Sequence, residues 1–295
     1  MSGETIILGV DYSGAKADKN TWVTRGTFSN ETDAGETLVI ESCTATRRAD
    51  LAALLAAAPG NTVAALDFPF SVPREFACWW HAAAKSMPDL WQAAASMDLP
   101  DFMALRDEFV AGHGEPYRRG DLYFPECYSC LHRANPNMVP MTFRGMQMLD
   151  GLWRAGSRVP PLTEDTRKGP LLLESMPGAA LRAMRLPFKG YKKGKNAVEL
   201  RRQILDGLET RSGVAVPNLK RFRNDCIGND DCLDSVVAAV AGCLWSRDDS
   251  LFRLPQDGPG DATKRGGTPS HDENELDTAR LEGWLYAPVF LNLAD

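Results

Sequence analysis

Thr5-Ile-Ile-Leu-Gly-Val-Asp-Tyr-Ser-Gly-Ala-Lys16 is the stretch of this sequence that decides the fold. Its aliphatic residues follow one another without polar alternation, which is typical of a β-strand covered on both faces. The run ends on one carboxylate, Asp11, at the edge of a core, where an unpaired charge is costly. The stretch therefore predicts a buried strand with a cation near Asp11, and the nearest cationic residue in the sequence is Lys16.

The composition indicates a globular protein. The chain has 295 residues, a net charge of −6 and 44% hydrophobic residues, which is enough for one large or two modest domains. The negative charge argues against nucleic-acid binding through a global positive field, although a local basic channel is compatible with it. Seven scattered cysteines, no signal sequence and no apolar run near about 18 residues predict a cytoplasmic protein without a membrane partner. Oligomeric state is not predicted.

The next segments predict an antiparallel meander, then a helix and a fourth strand. Residues 21–28 and 37–43 have the alternation and turn-rich flanks of strands. Residues 48–58 are rich in alanine and leucine and predict a helix. Residues 62–70 are an apolar strand that carries Asp67. Carboxylates therefore end two of the predicted strands.

Aromatic residues and methionines crowd the segment 74–166. We interpret this segment as a helical insertion that packs over the site as a lid or substrate wall. An ordinary helical core with aromatic filling is the alternative. The predicted core then comprises residues 1–73 and 167–295.

Regular segments return after the insertion. Residues 169–177 predict a short strand that carries Glu174, and residues 197–212 and 229–245 predict helices. Residues 255–279 are polar and rich in glycine, proline and aspartate, which predicts a mobile loop.

Asp231 and Asp234 lie three residues apart at the start of the last of these helices, so they project from one face. Such close carboxylates repel each other, and a helix dipole offsets at most about 1 kcal/mol. Together with Asp11 and Asp67 they suit a pair of hard divalent cations, Mg²⁺ or Mn²⁺, with Glu174 as a fifth acid. Taken singly, each aspartate also fits a turn or a helix start.

Five short motifs, taken in order, resemble the DUF429 family of predicted ribonuclease H-like nucleases. They are Gly9-Val-Asp-Tyr-Ser-Gly14, Leu66-Asp-Phe-Pro-Phe-Ser71, Leu173-Glu-Ser-Met-Pro-Gly178, Asp230-Asp-Cys-Leu-Asp-Ser-Val-Val-Ala-Ala239 and Glu282-Gly-Trp-Leu-Tyr-Ala-Pro288. The resemblance implies an α/β fold, a ribonuclease H-like mixed five-stranded sheet flanked by helices. By similarity to resolvase-type members of that superfamily, it implies that Asp11, Asp67, Asp231 and Asp234 are metal ligands. Asp67 stands where many of those nucleases have glutamate.

Basic residues follow the predicted strand that carries Glu174. Lys189, Lys192 and Lys193 lie on a glycine-punctuated loop, and Arg201 follows on a helix. We predict that they contact substrate phosphates, and a solvated loop is the alternative. Cys127-Tyr-Ser-Cys130 only weakly indicates zinc, because no second pair has suitable spacing.

These patterns predict a metal-dependent nuclease or phosphodiesterase acting on nucleic acid or a small phosphodiester. The predicted catalytic residues are Asp11, Asp67, Glu174, Asp231 and Asp234. One alternative is a phosphotransferase related to actin and sugar kinases, but Phe68-Pro69 follows Asp67 where a glycine turn would be needed. Another is a non-enzymatic module that binds nucleic acid or a protein partner.

Overall fold

A mixed five-stranded sheet forms the centre of the molecule. The computed structural model describes residues 4–14, 18, 20–32, 35–162, 166–256 and 274–289. The strands are β1 (Thr5–Asp11), β2 (Thr21–Thr32), β3 (Gly35–Thr46), β4 (Thr62–Asp67) and β5 (Leu171–Glu174). Their order is β3-β2-β1-β4-β5. The three strands β1, β2 and β3 form an antiparallel meander, and β4 lies parallel to both β1 and β5. The predicted α/β fold is confirmed, and this sheet is consistent with a ribonuclease H-like core.

Helices flank the sheet on both faces. They are α1 (Arg48–Ala56), α2 (Arg74–Trp80), α3 (Met87–Ala95), α4 (Leu99–His113), α5 (Met138–Arg154), α6 (Pro177–Ala183), α7 (Ala197–Ser212), α8 (Arg223–Gly228), α9 (Asp230–Arg247) and α10 (Glu275–Glu282). None of these helices is long and apolar enough to cross a bilayer, in the part of the chain that the structure describes.

The prediction of a loop over residues 255–279 is wrong at its C-terminal end, where the structure has a helix. Helix α10 begins at Glu275, because the side chain of Asn274 caps it by accepting a hydrogen bond from the Asp277 amide. Residues 257–273 of that prediction lie outside the described residues.

Alternate residues of β1 enter two hydrophobic clusters, one on each face of the sheet. Ile7 belongs to the cluster that contains α7 and α9, and Leu8 and Val10 belong to the cluster that contains α2 to α5. Both faces of the strand are therefore buried, as its unbroken apolar sequence predicts. Asp11 follows in the phase of Ile7, which places it on the α9 face.

Gly9 allows α9 to cross β1 at close range. A Cβ at this position would lie 2.1 Å from the Ser235 carbonyl oxygen and 2.2 Å from the Ala239 nitrogen. Asn229 fixes the start of the helix, because its side chain accepts hydrogen bonds from the amides of Asp231 and Cys232. The crossing brings the first turns of α9 to the carboxyl end of β1.

The predicted insertion supplies the helical layer on the other face. Helix α5 packs on the segment after β4 so closely that a Cβ at Gly145 would lie 2.4 Å from the Phe68 ring. Phe143 and Phe68 share one hydrophobic cluster with strand residues. The division of the chain into a core and an insertion stays a prediction.

Candidate metal centre

Asp11 and Asp67 are direct neighbours at the carboxyl ends of two parallel strands. They are register partners in the pairing of β1 with β4. Partners in a parallel pair point to the same face of the sheet, so both side chains lie on the α9 face. This relationship is what the two strand-ending carboxylates of the sequence predict.

Asp234 completes a cluster of three carboxylates. Ligand oxygens of Asp11, Asp67 and Asp234 all lie within 4.8 Å of one another. Asp234 is fully buried on the second turn of α9. In the part of the chain that the structure describes, this is the group that can hold a metal ion. Three oxygen donors at this spacing fit a hard divalent cation such as Mg²⁺ or Mn²⁺.

Burial and mutual repulsion oppose the charged forms of these carboxyls. Burial raises the pKa of Asp11 well above its usual range, and Asp234 and Asp67 raise it further. Burial raises the pKa of Asp67 to about 7, although Lys192 acts in the opposite direction. Burial also raises the pKa of Asp234. Ionising these carboxyls without a cation is therefore costly. A divalent ion bound among them would offset that cost.

Two neighbours on one loop contact Asp234. The hydroxyl of Tyr191 donates to Asp234 Oδ1 at 2.8 Å, and Lys192 Nζ lies 2.6 Å from Oδ2. Oδ2 has no hydrogen bond of normal geometry among the described residues, so the ammonium acts mainly through its charge. Burial lowers the pKa of Lys192, but Asp234 and the neighbouring acids outweigh this and raise it well above its usual value. Lys16 lies outside the described residues.

Asp231 lies outside the group of three but lines the same cavity. It is half-buried one turn before Asp234, as the spacing of three residues predicts. Burial raises its pKa, and the adjacent Asp230 adds to the effect. The four predicted aspartates are thus brought to one end of the sheet, with three in mutual contact range and Asp231 at the cavity wall.

Glu174 is engaged by an arginine of the insertion. Arg118 donates hydrogen bonds to both carboxylate oxygens of Glu174, at 2.8 Å to Oε2, and to both oxygens of Asp121. The Phe70 amide donates to Glu174 Oε2 at 2.9 Å. All three charged side chains are buried. The structure therefore places Glu174 in an ion pair beside the aspartates, and its catalytic role stays a prediction.

Two of the four predicted phosphate-binding residues line the cavity. Lys189 and Lys192 line the cavity that contains Asp11 and Asp67, whereas Lys193 and Arg201 do not line it. Arg201 is buried and donates to the carbonyl oxygens of Tyr191 and Ile227, at 2.6 and 2.7 Å. It holds the loop that carries Lys192 against α8.

The cavity has a volume of about 770 Å³ and two kinds of wall. Asp11, Asp67 and Asp231 give it an acidic part. Tyr128 and Met141, both from the predicted insertion, line another part. The role of the insertion as a lid or substrate wall stays a prediction.

The cysteine pair does not form a metal-binding site with His132. Cys127 Sγ contacts Met176 Sδ at 3.4 Å, and Cys130 Sγ lies 3.7 Å from the Ser71 carbonyl oxygen. His132 Nδ1 lies 2.7 Å from Glu115 Oε2. Each of these side chains therefore contacts a different neighbour.

Sequence reasoning missed Tyr191 and Arg118. Tyr191 stands next to Lys192 in a basic loop, and its hydroxyl contact with Asp234 follows only from the fold of that loop. Arg118 follows Tyr117 in a segment without periodicity, so its contact with Glu174, 56 residues later, has no sequence signal.

Comparison with protein families identifies the chain. A family described as "Protein of unknown function (DUF429)" matches residues 9–259. The chain therefore belongs to the DUF429 family, as its motifs predict. No curated protein and no solved structure matches it.

Proposed function

We propose that this member of the DUF429 family is a metal-dependent nuclease or phosphodiesterase with a ribonuclease H-like core. The convergence of Asp11, Asp67 and Asp234, with ligand oxygens within 4.8 Å of one another, carries the proposal. Asp11 and Asp67 lie at the carboxyl ends of parallel strands and line a cavity of about 770 Å³, which supports the proposal.

In this proposal, one set of residues binds the metal and another binds the substrate. Asp11, Asp67 and Asp234 hold Mg²⁺ or Mn²⁺, and we assign Asp231 the outer position of the site. A divalent ion bound there neutralises phosphate oxygens and lowers the pKa of the attacking water. Lys189 and Lys192 hold the substrate phosphate from the cavity wall.

Lys192 changes partners in this proposal. Its side chain is 50% exposed, and it lies on a loop between Gly190 and Gly194, which both have positive φ angles. An ammonium at Asp234 and a divalent ion among the same carboxylates repel each other. With a divalent ion held by these carboxylates, Lys192 would be free to leave Asp234 and bind a substrate phosphate.

A cleavage assay tests the proposed function. Single-stranded DNA, RNA and bis(4-nitrophenyl) phosphate are incubated with Mg²⁺ or Mn²⁺ and the wild-type protein, Asp11→Asn or the exposed control Asp50→Asn. We expect metal-dependent cleavage that falls at least about 100-fold in Asp11→Asn and is unchanged in Asp50→Asn. Equal cleavage by all three proteins, or none by the wild type, would contradict the proposal.

The ion pair of Lys192 with Asp234 favours a second candidate, a non-enzymatic binding module. In that case the lysine satisfies the carboxylates permanently, and the cavity recognises a partner without turnover. Calorimetric titration with Mn²⁺ separates the two candidates, because only the metal site binds the ion. The phosphotransferase alternative has less support, since Phe68 after Asp67 is buried against Tyr12 and leaves no glycine turn.

A further inference from the structure

A side pocket of about 90 Å³ lies next to the metal centre. Asp67, Tyr128, Met138, Met141 and Met176 line both this pocket and the large cavity. The two spaces therefore adjoin at Asp67. At about 30 Å³ for each water, the side pocket has room for roughly three waters, which is more than a packing defect.

The walls of the side pocket combine apolar surfaces with one unsatisfied polar group. Phe68, Leu285 and the methionines supply the apolar part, and methionine side chains adapt their shape to a ligand. Ser175 also lines the pocket. Its amide donates to the Leu66 carbonyl at 2.9 Å, which holds the residue beside the end of β4.

The hydroxyl of Ser175 lacks a hydrogen-bond partner in the described part of the chain. The residue is only 4% exposed, and buried hydroxyls are normally paired. Three charged residues of the same pocket are paired with one another, because Arg118 binds Glu174 and Asp121, and the fourth, Asp67, belongs to the metal centre. The hydroxyl oxygen itself has almost no accessible surface in this structure, so it can pair with a molecule in the pocket only if the side chain rotates or the adjoining methionines shift.

Tyr128 stands where the two spaces meet and is an exposed aromatic residue, with 62% of its surface accessible. Its ring stacks on His132 with centroids 5.3 Å apart and planes 17° from parallel. Glu115 holds that histidine through the 2.7 Å contact of Nδ1 with Oε2. The tyrosine ring thus has a fixed face beside the metal centre, which is the arrangement that stacks a base in single-strand binders.

We propose that the side pocket binds one unstacked nucleobase of a nucleic-acid strand whose phosphate lies at Asp11, Asp67 and Asp234. The inference rests on the proposed function and narrows its substrate to single-stranded nucleic acid. A base has a flat apolar face for Tyr128 and the methionines, and polar edges for the hydroxyl of Ser175. A purely aliphatic ligand would leave that hydroxyl unpaired. A base inside a duplex cannot reach the pocket without leaving its stack.

Binding without cleavage tests the pocket. Fluorescence anisotropy with Ca²⁺ in place of Mn²⁺ compares a labelled single-stranded DNA decamer with the same decamer made of abasic units, because Ca²⁺ also takes carboxylate and phosphate oxygens as ligands. We expect the wild-type protein to prefer the strand with bases. Tyr128→Ala should reduce that preference about 5- to 100-fold, as loss of base stacking does, and Tyr128→Phe should retain it.

Ser175→Ala provides an independent variant. Removal of an unpaired buried hydroxyl leaves thermal stability unchanged or raises it, so a loss of affinity for the base-containing strand cannot come from unfolding. We expect Ser175→Ala to weaken binding of that strand and to leave binding of the abasic strand unchanged. Equal affinity of the wild type for both strands, or equal effects of Tyr128→Ala on both, would overturn the inference.

A cleavage comparison separates the pocket from the function. Single abasic units are placed in turn along a single-stranded substrate in the presence of Mn²⁺. Cleavage should fall where the missing base belongs to the nucleotide next to the cut. Cleavage that does not depend on the position of the abasic unit would overturn base binding by the side pocket and leave the nuclease proposal intact. Base-dependent binding without any metal-dependent cleavage would contradict the nuclease proposal and support the pocket.

Discussion

Lys192 Nζ lies 2.6 Å from Asp234 Oδ2, so a side-chain cation stands at the point where three carboxylates converge. The ammonium partly offsets the burial and the mutual repulsion that raise the pKa values of Asp11 and Asp67. It also competes with any divalent ion for the same oxygens. The balance between lysine and metal is therefore central to the behaviour of the site.

Replacement of Lys192 by methionine should make the protein depend more on metal. The methionine keeps an apolar stem but removes the charge, so the carboxylates repel each other more strongly at pH 8. We expect a lower melting temperature in EDTA and a larger rise with Mn²⁺ than in the wild type. At a Mn²⁺ concentration 100 times the dissociation constant, the metal stabilises the fold by about 2.7 kcal/mol. Lys195→Met, on the same loop, is the matched control, and equal behaviour of both variants would contradict the prediction.

The stability of the metal-free protein should fall as the pH rises from 6 to 8. Burial raises the pKa of Asp67 to about 7, above the value of about 3.9 in an unfolded chain. Between the unfolded and the folded pKa of Asp67, the folded protein therefore binds more protons than the unfolded chain. The stability that protonated Asp67 contributes at low pH is lost as the pH rises through about 7. The raised pKa of Asp11 acts in the same direction.

Urea denaturation in EDTA at several pH values measures this dependence. Asp67→Asn should show a shallower slope, because its amide does not titrate. Saturating Mn²⁺ should oppose the loss at high pH, since metal ligands bind in their deprotonated form. Identical slopes for the wild type and Asp67→Asn would show that Asp67 does not titrate in this range.

A methyl group at Gly9 should disturb the site through the helix. Its Cβ would lie 2.1 Å from the Ser235 carbonyl oxygen, which is backbone and cannot turn aside. Gly9→Ala must therefore displace α9 and with it Asp234, at a cost of about 1–3 kcal/mol in the free energy of unfolding. Gly112→Ala is the control, because a Cβ there meets nothing within 4 Å and should stabilise α4 by up to about 1 kcal/mol. Similar unfolding free energies for the two variants would contradict the close crossing.

The ion pair of Arg118 with Glu174 should matter for folding. Arg118→Met leaves the carboxylates of Glu174 and Asp121 buried without their partner, which costs about 3–5 kcal/mol. The exposed pair of Arg25 with Glu41 gives a contrast, since Arg25→Met should cost about 1 kcal/mol or less. Chemical denaturation measures both.

The Glu174→Gln variant distinguishes a structural role of Glu174 from a catalytic role. A structural Glu174 predicts lower stability and retained Mn²⁺ binding, because the ion pair is lost while the three aspartates stay in place. A folded Glu174→Gln protein that has lost cleavage but kept Mn²⁺ affinity would instead support the catalytic role predicted from the sequence.

The positions of the aspartates could be predicted from the sequence because regular elements place them. An apolar run that ends on Asp11 or Asp67 gives both the strand and the end at which the carboxylate lies. A spacing of three residues gives the common face of Asp231 and Asp234. Strand order, parallel pairing and the close crossing at Gly9 then bring these residues together.

The partners of those carboxylates could not be predicted, because irregular segments supply them. Lys192 was one of several loop lysines, and nothing in the sequence favours its contact with Asp234 over that of Lys193. Cys43 Sγ lies 3.1 Å from Cys232 Sγ although 189 residues separate them. Such contacts depend on how loops and distant elements pack, and hydrophobic periodicity carries no information about that.

A crystal structure of the protein grown with Mn²⁺ tests the central claim most directly, because manganese is identified by its anomalous scattering. We predict one anomalous peak in contact with carboxylate oxygens of Asp11, Asp67 and Asp234, at about 2.0–2.3 Å, with Lys192 displaced from Asp234. A structure at saturating Mn²⁺ without such a peak, and with Lys192 still at Asp234, would contradict the metal site and the function built on it.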